Sequence, residues 1–230
     1  MNVRPPRLGR RLSLIESLVP EASRLIDVGS DHALLPITYL LNQPTASAVA
    51  IDNKEKPLAV AEKNRRRFGV EARLDLVLAD GLPDGLVKAD DCVVIAGLGG
   101  VEIKSILQKA SYLPKRLILS PHSRAEILRE ALASLGLSII DEHVVLEGRR
   151  AYVVMEVKKT STPYHLNEYE RWIGPVVFSK LKARDKTPAL ELYAKRLIKH
   201  LTNREKDDPS LQPVRKALMD SLGEDHESNS

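Results

Sequence analysis

The middle of the chain alternates short β-branched runs with helical patterns, from residue 24 to about residue 159. Alternation of this kind is typical of a mostly parallel sheet whose two faces are covered by helices. Seven runs have the length and composition of buried strands, and they cover residues 24–28, 47–51, 74–78, 91–96, 116–119, 138–145 and 151–157. Helical patterns lie between the runs, for example over 56–68 and 124–135, and Gly136 follows the second of these where a left-handed cap is expected.

The last two strand candidates are joined by LEGRRAY, residues 146–152, rather than by a helix. We therefore expect these strands to pair antiparallel as a hairpin. Five parallel strands followed by an antiparallel hairpin describe the class I methyltransferase sheet, in which the final strand inserts antiparallel between its neighbours. A dinucleotide-binding dehydrogenase usually continues with another strand–helix unit, so this ending points away from NAD.

After the linker at 160–163 the strand pattern stops and apolar residues follow helical spacing. These residues form two groups separated by Pro188, namely Leu166, Tyr169, Ile173, Val177 and Leu181, then Leu190, Tyr193, Leu197 and Leu201. Two antiparallel helices would bury the two stripes against each other. The predicted organisation is a ligand-binding α/β domain over 1–160, a helical coiled-coil domain over 161–222 and a polar, disordered tail over 223–230.

The composition fits a soluble protein of the reducing cytoplasm. The one cysteine, Cys92, lies in the apolar run CVVIA, which favours a core residue over a disulfide or a nucleophile. No apolar run approaches the roughly 18 residues that a membrane span requires. The stretch MNVRPPRLGRRLSLIESLVP has no continuous apolar signal core, so we expect neither export nor membrane contact.

The formal net charge of +4 is small, but the basic residues are clustered. The clusters are Arg4, Arg7, Arg10 and Arg11, then Lys63, Arg65, Arg66 and Arg67, then Lys180, Lys182, Arg184 and Lys186. A polyanion responds to local potential, so this clustering favours a nucleic acid as partner. Each cluster taken alone also fits a solvated helix face.

The stretch RLIDVGSDHALLP, residues 24–36, predicts a buried strand that runs into a glycine turn and then a helix. The second glycine of a dinucleotide fingerprint would fall at Asp31, where a carboxylate opposes a pyrophosphate. S-adenosylmethionine shares the adenosine of a dinucleotide but carries a sulfonium and an amino acid in place of phosphate. Carboxylates at Asp27 and Asp31, beside Gly29, therefore favour this methyl donor.

Acidic residues also follow the second and third predicted strands, at the carboxyl ends where ligands of such sheets bind. Asp52, with Asn53 beside it, lies about 20 residues past the glycine turn, as expected for a carboxylate that accepts both ribose hydroxyls. Asp80 is placed to accept from the adenine amino group, while the backbone amide of Gly81 addresses the ring. A lone aspartate at a strand end is more often a turn former or a helix cap. Three aspartates along one sheet edge predict a binding site for the methyl donor.

The fourth strand ends in IAGLGGVEI, whose glycines allow the backbone to approach a flat or reactive group. They are Gly97, Gly99 and Gly100, and an ordinary tight turn is the alternative. Enzymes that methylate exocyclic amino groups commonly carry an N-P-P-Y-like element here. Its absence favours a ring nitrogen as acceptor, and no cysteine is placed for covalent catalysis on pyrimidine C5. His122, after the fifth strand, is a candidate substrate contact or a polar helix-entry residue.

The six histidines lack metal-ligand spacing, so we predict no metal site. Nothing in the sequence identifies a protein partner.

Several segments together resemble the bacterial family of tRNA adenine-N1 methyltransferases that modify position 22. They are RLIDVGSDHALLP, AIDNKEKPLAVAEKN, ADGL, VVIAGLGGVEIKSIL and LILSPHSRAEILREAL. The resemblance covers residues 8–159, and the helices beyond resemble that family's C-terminal coiled-coil domain in layout. It implies a class I Rossmann-like α/β fold, S-adenosylmethionine as donor and tRNA as substrate. The chain departs from the family at Ser120-Pro121-His122, where Gln-Pro-Asn is expected.

Adenine N1 carries a lone pair, so the neutral base can attack the methyl group without a strong base. Asp31 projects from the turn nearest the donor and is the candidate catalytic residue that stabilises the charge developing on the base. The candidate phosphate contacts are Arg7, Arg10, Arg11, Lys180, Lys182, Arg184 and Lys186. Two other interpretations stay open here: a non-catalytic RNA-binding protein with a methyltransferase-like fold, and a methyltransferase for a small metabolite.

Overall fold

The computed structural model describes residues 4–160, 162–183 and 187–223. These residues build a seven-stranded sheet in the order β3-β2-β1-β4-β5-β7-β6. The strands are β1 (Leu25–Val28), β2 (Ala48–Asp52), β3 (Leu74–Leu78), β4 (Cys92–Ala96), β5 (Arg116–Ser120), β6 (Leu137–Glu147) and β7 (Arg150–Lys159). Strands β1 to β5 are parallel, and β7 lies antiparallel between β5 and β6. The predicted class I methyltransferase sheet is confirmed.

Helices cover both faces of this sheet, and they are α1 (Arg10–Leu18), α2 (Leu34–Asn42), α3 (Glu55–Arg67), α4 (Gly100–Lys109) and α5 (Ala125–Ser134). One face packs against α1, α2 and α3 with Ile15 in its core, and the other packs against α4 and α5 through Ile103 and Leu128. The central strands are buried on both sides because successive side chains, such as Leu25 and Ile26, enter the two opposite cores.

The predicted elements of the α/β part are all present, with ends displaced by one or two residues. Gly136 adopts the left-handed conformation expected of it, with φ of +66°. Because β1 to β5 are parallel, their carboxyl ends meet at one edge of the sheet, which we call the carboxyl edge. Strand β6 also ends there, since it runs antiparallel to β7 and β7 runs antiparallel to β5.

The chain after residue 163 forms a helical appendage on the β6 side of the sheet. Its helices are α6 (Glu168–Trp172), α7 (Pro175–Lys182), α8 (Pro188–Arg204) and α9 (Gln212–Leu222), with a 3₁₀ turn at Pro209–Leu211. The prediction of two antiparallel helices is wrong in their number, because the first is broken at Gly174, whose φ is +107°, and α8 packs chiefly against α9. The two predicted apolar groups nevertheless share one core, since Val177 and Leu181 are buried in the same cluster as Leu190 and Leu201. The predicted tail falls outside the described residues beyond Gly223.

A buried ion pair joins this appendage to the sheet. The side chains of Arg129 in α5 and Glu142 in β6 are both 0% exposed, and Arg129 Nη2 lies 2.9 Å from Glu142 Oε1. Arg129 Nη1 also donates to two carbonyl oxygens at the end of α6, while Glu142 Oε2 accepts from two backbone N–H groups in the first turn of α7. A Cβ at Gly174 would collide with the Glu142 carboxylate, which explains the glycine at the helix break.

A second, partly exposed charge network lies next to this pair. Lys180 of α7 donates to Asp141 Oδ1 and to the Glu142 carbonyl oxygen, both at 2.8 Å. His143 Nε2 lies 2.8 Å from Glu156 Oε1 and 3.6 Å from Asp141 Oδ2. Asp141, His143 and Glu156 are close enough to share a metal ion, but their contacts with one another and with Lys180 already account for the arrangement.

Cys92 is buried in β4, where burial raises the pKa of its thiol to about 12. It is a protonated core residue, as the sequence predicted. Within the described ranges, no helix combines the length and the apolar character that crossing a membrane requires.

Replacing Glu142 tests the buried pair. Glu142→Gln keeps the shape but leaves the Arg129 charge buried without a counter-charge, so we expect the free energy of unfolding to fall by about 3–5 kcal/mol. Glu168→Gln removes a carboxylate of a half-exposed pair with Arg171 and is the matched control, with an expected loss below about 1 kcal/mol. Denaturant unfolding measures both, and equal losses would contradict the role given to Glu142.

Candidate active site

Two adjoining cavities open at the carboxyl edge. The lining of the larger one, of about 420 Å³, includes Asp52, Asn53, Asp80 and Gly81. The lining of the smaller one, of about 340 Å³, includes Arg11, Asp27, Ser30 and Gly97. Three residues line both cavities, namely Gly29, Asp31 and Leu98. Every residue predicted to bind the donor therefore lines one of two adjoining cavities, which together suit an elongated ligand lying across the glycine turn.

The glycine turn has an unusual backbone that Asp52 holds in place. Gly29, Asp31 and Ala33 have φ values of +73°, +52° and +57°. Aspartate enters this left-handed region more readily than most residues, whereas alanine there is strained. The backbone N–H of Asp31 donates to Asp52 Oδ2 at 3.1 Å, and that of Lys54 donates to Asp52 Oδ1 at 3.0 Å. Asp52 thus links the ends of β1 and β2.

Asp27 is the buried acid of the smaller cavity, with 5% of its surface exposed. The Ser30 hydroxyl donates to Asp27 Oδ2 at 2.6 Å. Burial raises the pKa of Asp27 to about 6, and the Ser30 hydrogen bond opposes the rise. The carboxylate is therefore ionised at neutral pH but poised to bind a proton just below it.

The other polar side chains predicted to bind the donor are exposed at the rims of the cavities. Asp80 and Asn53 are exposed beside the larger cavity, where Gly81, with φ of +97°, packs on Ile106. The Asp31 side chain is 68% exposed, and its Oδ1 lies 3.4 Å from His32 Nε2. Asp31 is consequently open to a second substrate that approaches the junction of the two cavities.

Arg11 is the residue whose placement differs most from expectation. It was predicted to contact phosphates at the surface, but its side chain is only 11% exposed and lines the smaller cavity. Its Nε and Nη1 atoms are buried without a hydrogen-bond partner among the described residues. The guanidinium lies over the Tyr152 ring, 5.1 Å from its centroid, and near the Glu147 carboxylate. Arg11 therefore contributes a buried positive charge to the lining of the smaller cavity.

His122 lies beside Gly97, one of the residues that line the same cavity. A Cβ at Gly97, whose φ is +92°, would lie 3.8 Å from the His122 ring and 3.9 Å from Arg11 Nη2, so the lack of a side chain at Gly97 keeps this end open. The His122 ring packs on Tyr152 with centroids 5.4 Å apart. Burial, then the charges of Arg11 and Arg150, lower the pKa of His122, which favours the neutral imidazole.

The remaining glycines of the IAGLGGVEI segment have local structural roles. Gly99 precedes α4, and its backbone N–H donates to Glu102 Oε2 at 3.1 Å. Gly100 is buried against the Arg124 carbonyl group, with which a Cβ would collide. Neither residue lines the two cavities. Ser120, where the family pattern has glutamine, is buried and donates to the Val153 carbonyl oxygen of β7 at 3.0 Å.

The other predicted phosphate contacts are scattered. Arg7 and Arg10 are exposed at and before the start of α1. Lys182 is exposed at the end of α7, on the appendage, whereas Lys180 is engaged by the charge network described above. Two further candidates lie outside the described residues, namely Arg184 and Lys186.

Nothing in the sequence analysis indicated a role for three residues near this site, namely Ser30, Glu147 and Tyr152. For Ser30 there was a local signal, because its hydroxyl lies three positions after Asp27. Glu147 and Tyr152 contact Arg11 from the distant β6–β7 hairpin, so no local pattern points to them.

Helix α1 was not predicted either, although Leu12, Ile15 and Val19 follow helical spacing and pack in the core.

Comparisons with known proteins agree with this geometry. Residues 8–155 match the family model described as a methyltransferase domain. The tRNA (adenine(22)-N(1))-methyltransferase of Bacillus subtilis (strain 168) is 30% identical over 152 residues, which is 65% of this chain and 64% of that protein. The match therefore spans slightly less than two thirds of that relative's length.

Solved structures extend the likeness over the appendage. Streptococcus pneumoniae Sp1610 in complex with S-adenosyl-L-methionine superimposes with a TM-score of 0.79 at 28% identity, covering 94% of this chain and 100% of that one. M. capricolum TrmK in complex with S-adenosyl-homocysteine gives 0.76 at 25% identity, covering 94% and 96%. Since the matched family region holds the glycine turn and the strand ends that form both cavities, the chain belongs to the methyltransferase-domain family.

Proposed function

We propose that this chain transfers the methyl group of S-adenosylmethionine to N1 of an adenine in tRNA, at position 22. The observation that carries the proposal is the pair of adjoining cavities whose shared turn is surrounded by Asp27, Asp31 and Asp52. Carboxylates there favour a ligand with a sulfonium and an ammonium over one with a pyrophosphate. The name of the Bacillus subtilis relative supports the acceptor. The ligands of the two similar structures support the donor.

The adenosine half of the donor fits the larger cavity. Each Asp52 oxygen accepts one backbone N–H and keeps a second lone pair, so the carboxylate can also accept the ribose hydroxyls. Asp80 at the rim would accept a hydrogen bond from the adenine amino group. Gly81 has no side chain, so its backbone would be free to contact the adenine ring.

The amino-acid half fits the smaller cavity. The ionised Asp27 carboxylate would pair with the donor ammonium. Arg11 would pair with the donor carboxylate, because its buried Nε and Nη1 lack other partners in the described part of the chain. The sulfonium would then lie at the junction, beside Asp31.

The reaction needs little acid–base chemistry. The N1 lone pair attacks the methyl carbon, the carbon–sulfur bond breaks, and its electron pair returns to sulfur, so the donor becomes S-adenosylhomocysteine and the base becomes a cation. Asp31, exposed at the junction, would stabilise that positive charge through the adenine amino group. Most of the rate enhancement then comes from holding the two reactants in line. A tRNA substrate implies action in the cytoplasm.

Nucleoside analysis tests the proposal. The full chain is incubated with methyl-labelled donor and an unmodified tRNA transcript, and the RNA is digested and separated. We expect the label in 1-methyladenosine, and none when the transcript carries guanosine at position 22. A label in another nucleoside would refute the acceptor. Labelled metabolites without labelled RNA would favour a small-molecule enzyme, and absence of donor binding would favour a non-catalytic RNA-binding protein.

Asp31→Asn tests the catalytic residue. Asparagine tolerates the left-handed backbone at this position and removes only the charge, so we expect kcat to fall by about two orders of magnitude. The donor dissociation constant should rise far less than kcat falls, because the Asp31 side chain is 68% exposed and its charge is screened by water. The tRNA dissociation constant should change little. Asp31→Gly, which also fits the backbone, should give the same pattern. If both variants instead lose donor affinity and thermal stability together, Asp31 holds the turn and does not act on the base.

The pH dependence of donor binding tests Asp27. Since its pKa is raised to about 6 and a bound ammonium requires the ionised form, donor affinity should fall as the pH drops through 6, by up to about tenfold per pH unit. Calorimetric titration from about pH 7.5 down to about pH 5 measures this. Asp27→Asn should bind weakly at every pH without that slope. A flat profile for the unaltered protein would exclude Asp27 as the ammonium partner.

A further inference from the structure

The tip of the β6–β7 hairpin, residues 147–150, stands at the carboxyl edge next to the smaller cavity. The Glu147 carboxylate accepts the Arg11 backbone N–H at 3.4 Å, and its second oxygen lies 4.0 Å from Arg11 Nε. Tyr152, just past the tip, packs its ring against both Arg11 and His122. The hairpin tip therefore borders the smaller cavity at its Arg11 and Gly97 end.

The appendage holds the same tip from the other side. Arg196 of α8 donates through Nη2 to the Arg149 carbonyl oxygen. One turn earlier in α8, the Tyr193 hydroxyl accepts from Arg129 Nη2 of the buried ion pair at 3.3 Å. Helix α8 packs along β6 and β7. The hairpin tip is consequently fixed between α1 and α8 instead of being a free loop.

Positive charge is concentrated around this fixed tip. Arg149 and Arg150 are exposed at the tip itself, Arg196 is exposed on α8, and Arg10 is exposed on α1. Among the residues that the structure describes, no carboxylate lies within ion-pair distance of the guanidinium groups of Arg149 and Arg150. Arg150 is also close enough to help lower the pKa of His122, after burial and Arg11. Lys180, by contrast, is neutralised by Asp141.

We infer that the hairpin tip is a phosphate clamp for the tRNA: Arg149 and Arg150, flanked by Arg10 and Arg196, bind the backbone phosphates next to the target adenine. The inference rests on the proposed tRNA substrate and adds where that RNA is held. Guanidinium groups bind phosphates through paired hydrogen bonds. N1 is a Watson–Crick edge atom, so a paired target must leave its helix to be methylated. The positively charged hairpin tip beside the smaller cavity holds the RNA strand while the target base rotates into the active site.

Removal of the tip charges tests the clamp in the full chain. For Arg149→Ala/Arg150→Ala we expect the tRNA dissociation constant to rise about tenfold at about 0.1 M salt, and the slope of log affinity against log salt to flatten by about two units. Donor affinity and melting temperature should stay unchanged, because neither side chain lines the donor cavities. Arg149→Lys/Arg150→Lys should restore most of the salt slope but less of the affinity.

Lys88→Ala/Lys158→Ala is the matched control, since it removes two exposed charges at the opposite edge of the sheet. Equal weakening by the control and the tip variant would overturn the clamp, because the effect would then be one of net charge. Unchanged affinity and salt slope in the tip variant would also overturn it. If the unaltered protein binds the donor but not tRNA, the proposed function fails together with the clamp. If it binds and methylates tRNA, only the clamp is at stake.

Discussion

The buried ion pair of Arg129 and Glu142 is the contact on which the layout of this molecule depends. Taking two charges out of water is costly, and it is tolerated here because their remaining donors and acceptors are satisfied by the ends of α6 and α7. The pair thereby seats the appendage on β6. Helix α8 then reaches the hairpin tip through Arg196, and the tip in turn positions Arg11 through Glu147. Contiguous contacts thus join the appendage to the residues around the smaller cavity.

The chemistry of the donor site follows from where the parallel strands end. A glycine turn after β1 commonly cradles phosphate with backbone N–H groups. Here one such group, that of Asp31, is already bound to the Asp52 carboxylate. The Asp52 carboxylate therefore occupies a backbone N–H of the turn and makes the local charge negative. A cationic donor is compatible with that arrangement, and Arg11, a buried cation that lines the smaller cavity, lies where a donor carboxylate would end.

Sequence patterns predicted the sheet and the grouping of aspartates at its carboxyl edge because both depend on local information. LEGRRAY is too short for a crossover helix, so β6 and β7 had to pair antiparallel, and aspartates at the ends of parallel strands must meet at one edge. The place of Arg11 could not be predicted, since its environment comes from Glu147, 136 positions later. The helix break at Gly174 likewise depends on the Glu142 carboxylate, a long-range contact. Apolar spacing alone predicted a continuous helix there.

A crystal structure of the full chain with S-adenosylhomocysteine would show how the two cavities hold the donor product. We expect the ribose hydroxyls on Asp52 and the adenine beside Asp80 and Gly81. The amino-acid end should lie in the smaller cavity, between Asp27 and Arg11, with the sulfur near Asp31 and facing the His122 side. A product bound in the reverse direction, or one that leaves Asp27 and Arg11 without contact, would contradict the assignment of the two cavities and with it the proposed path of methyl transfer.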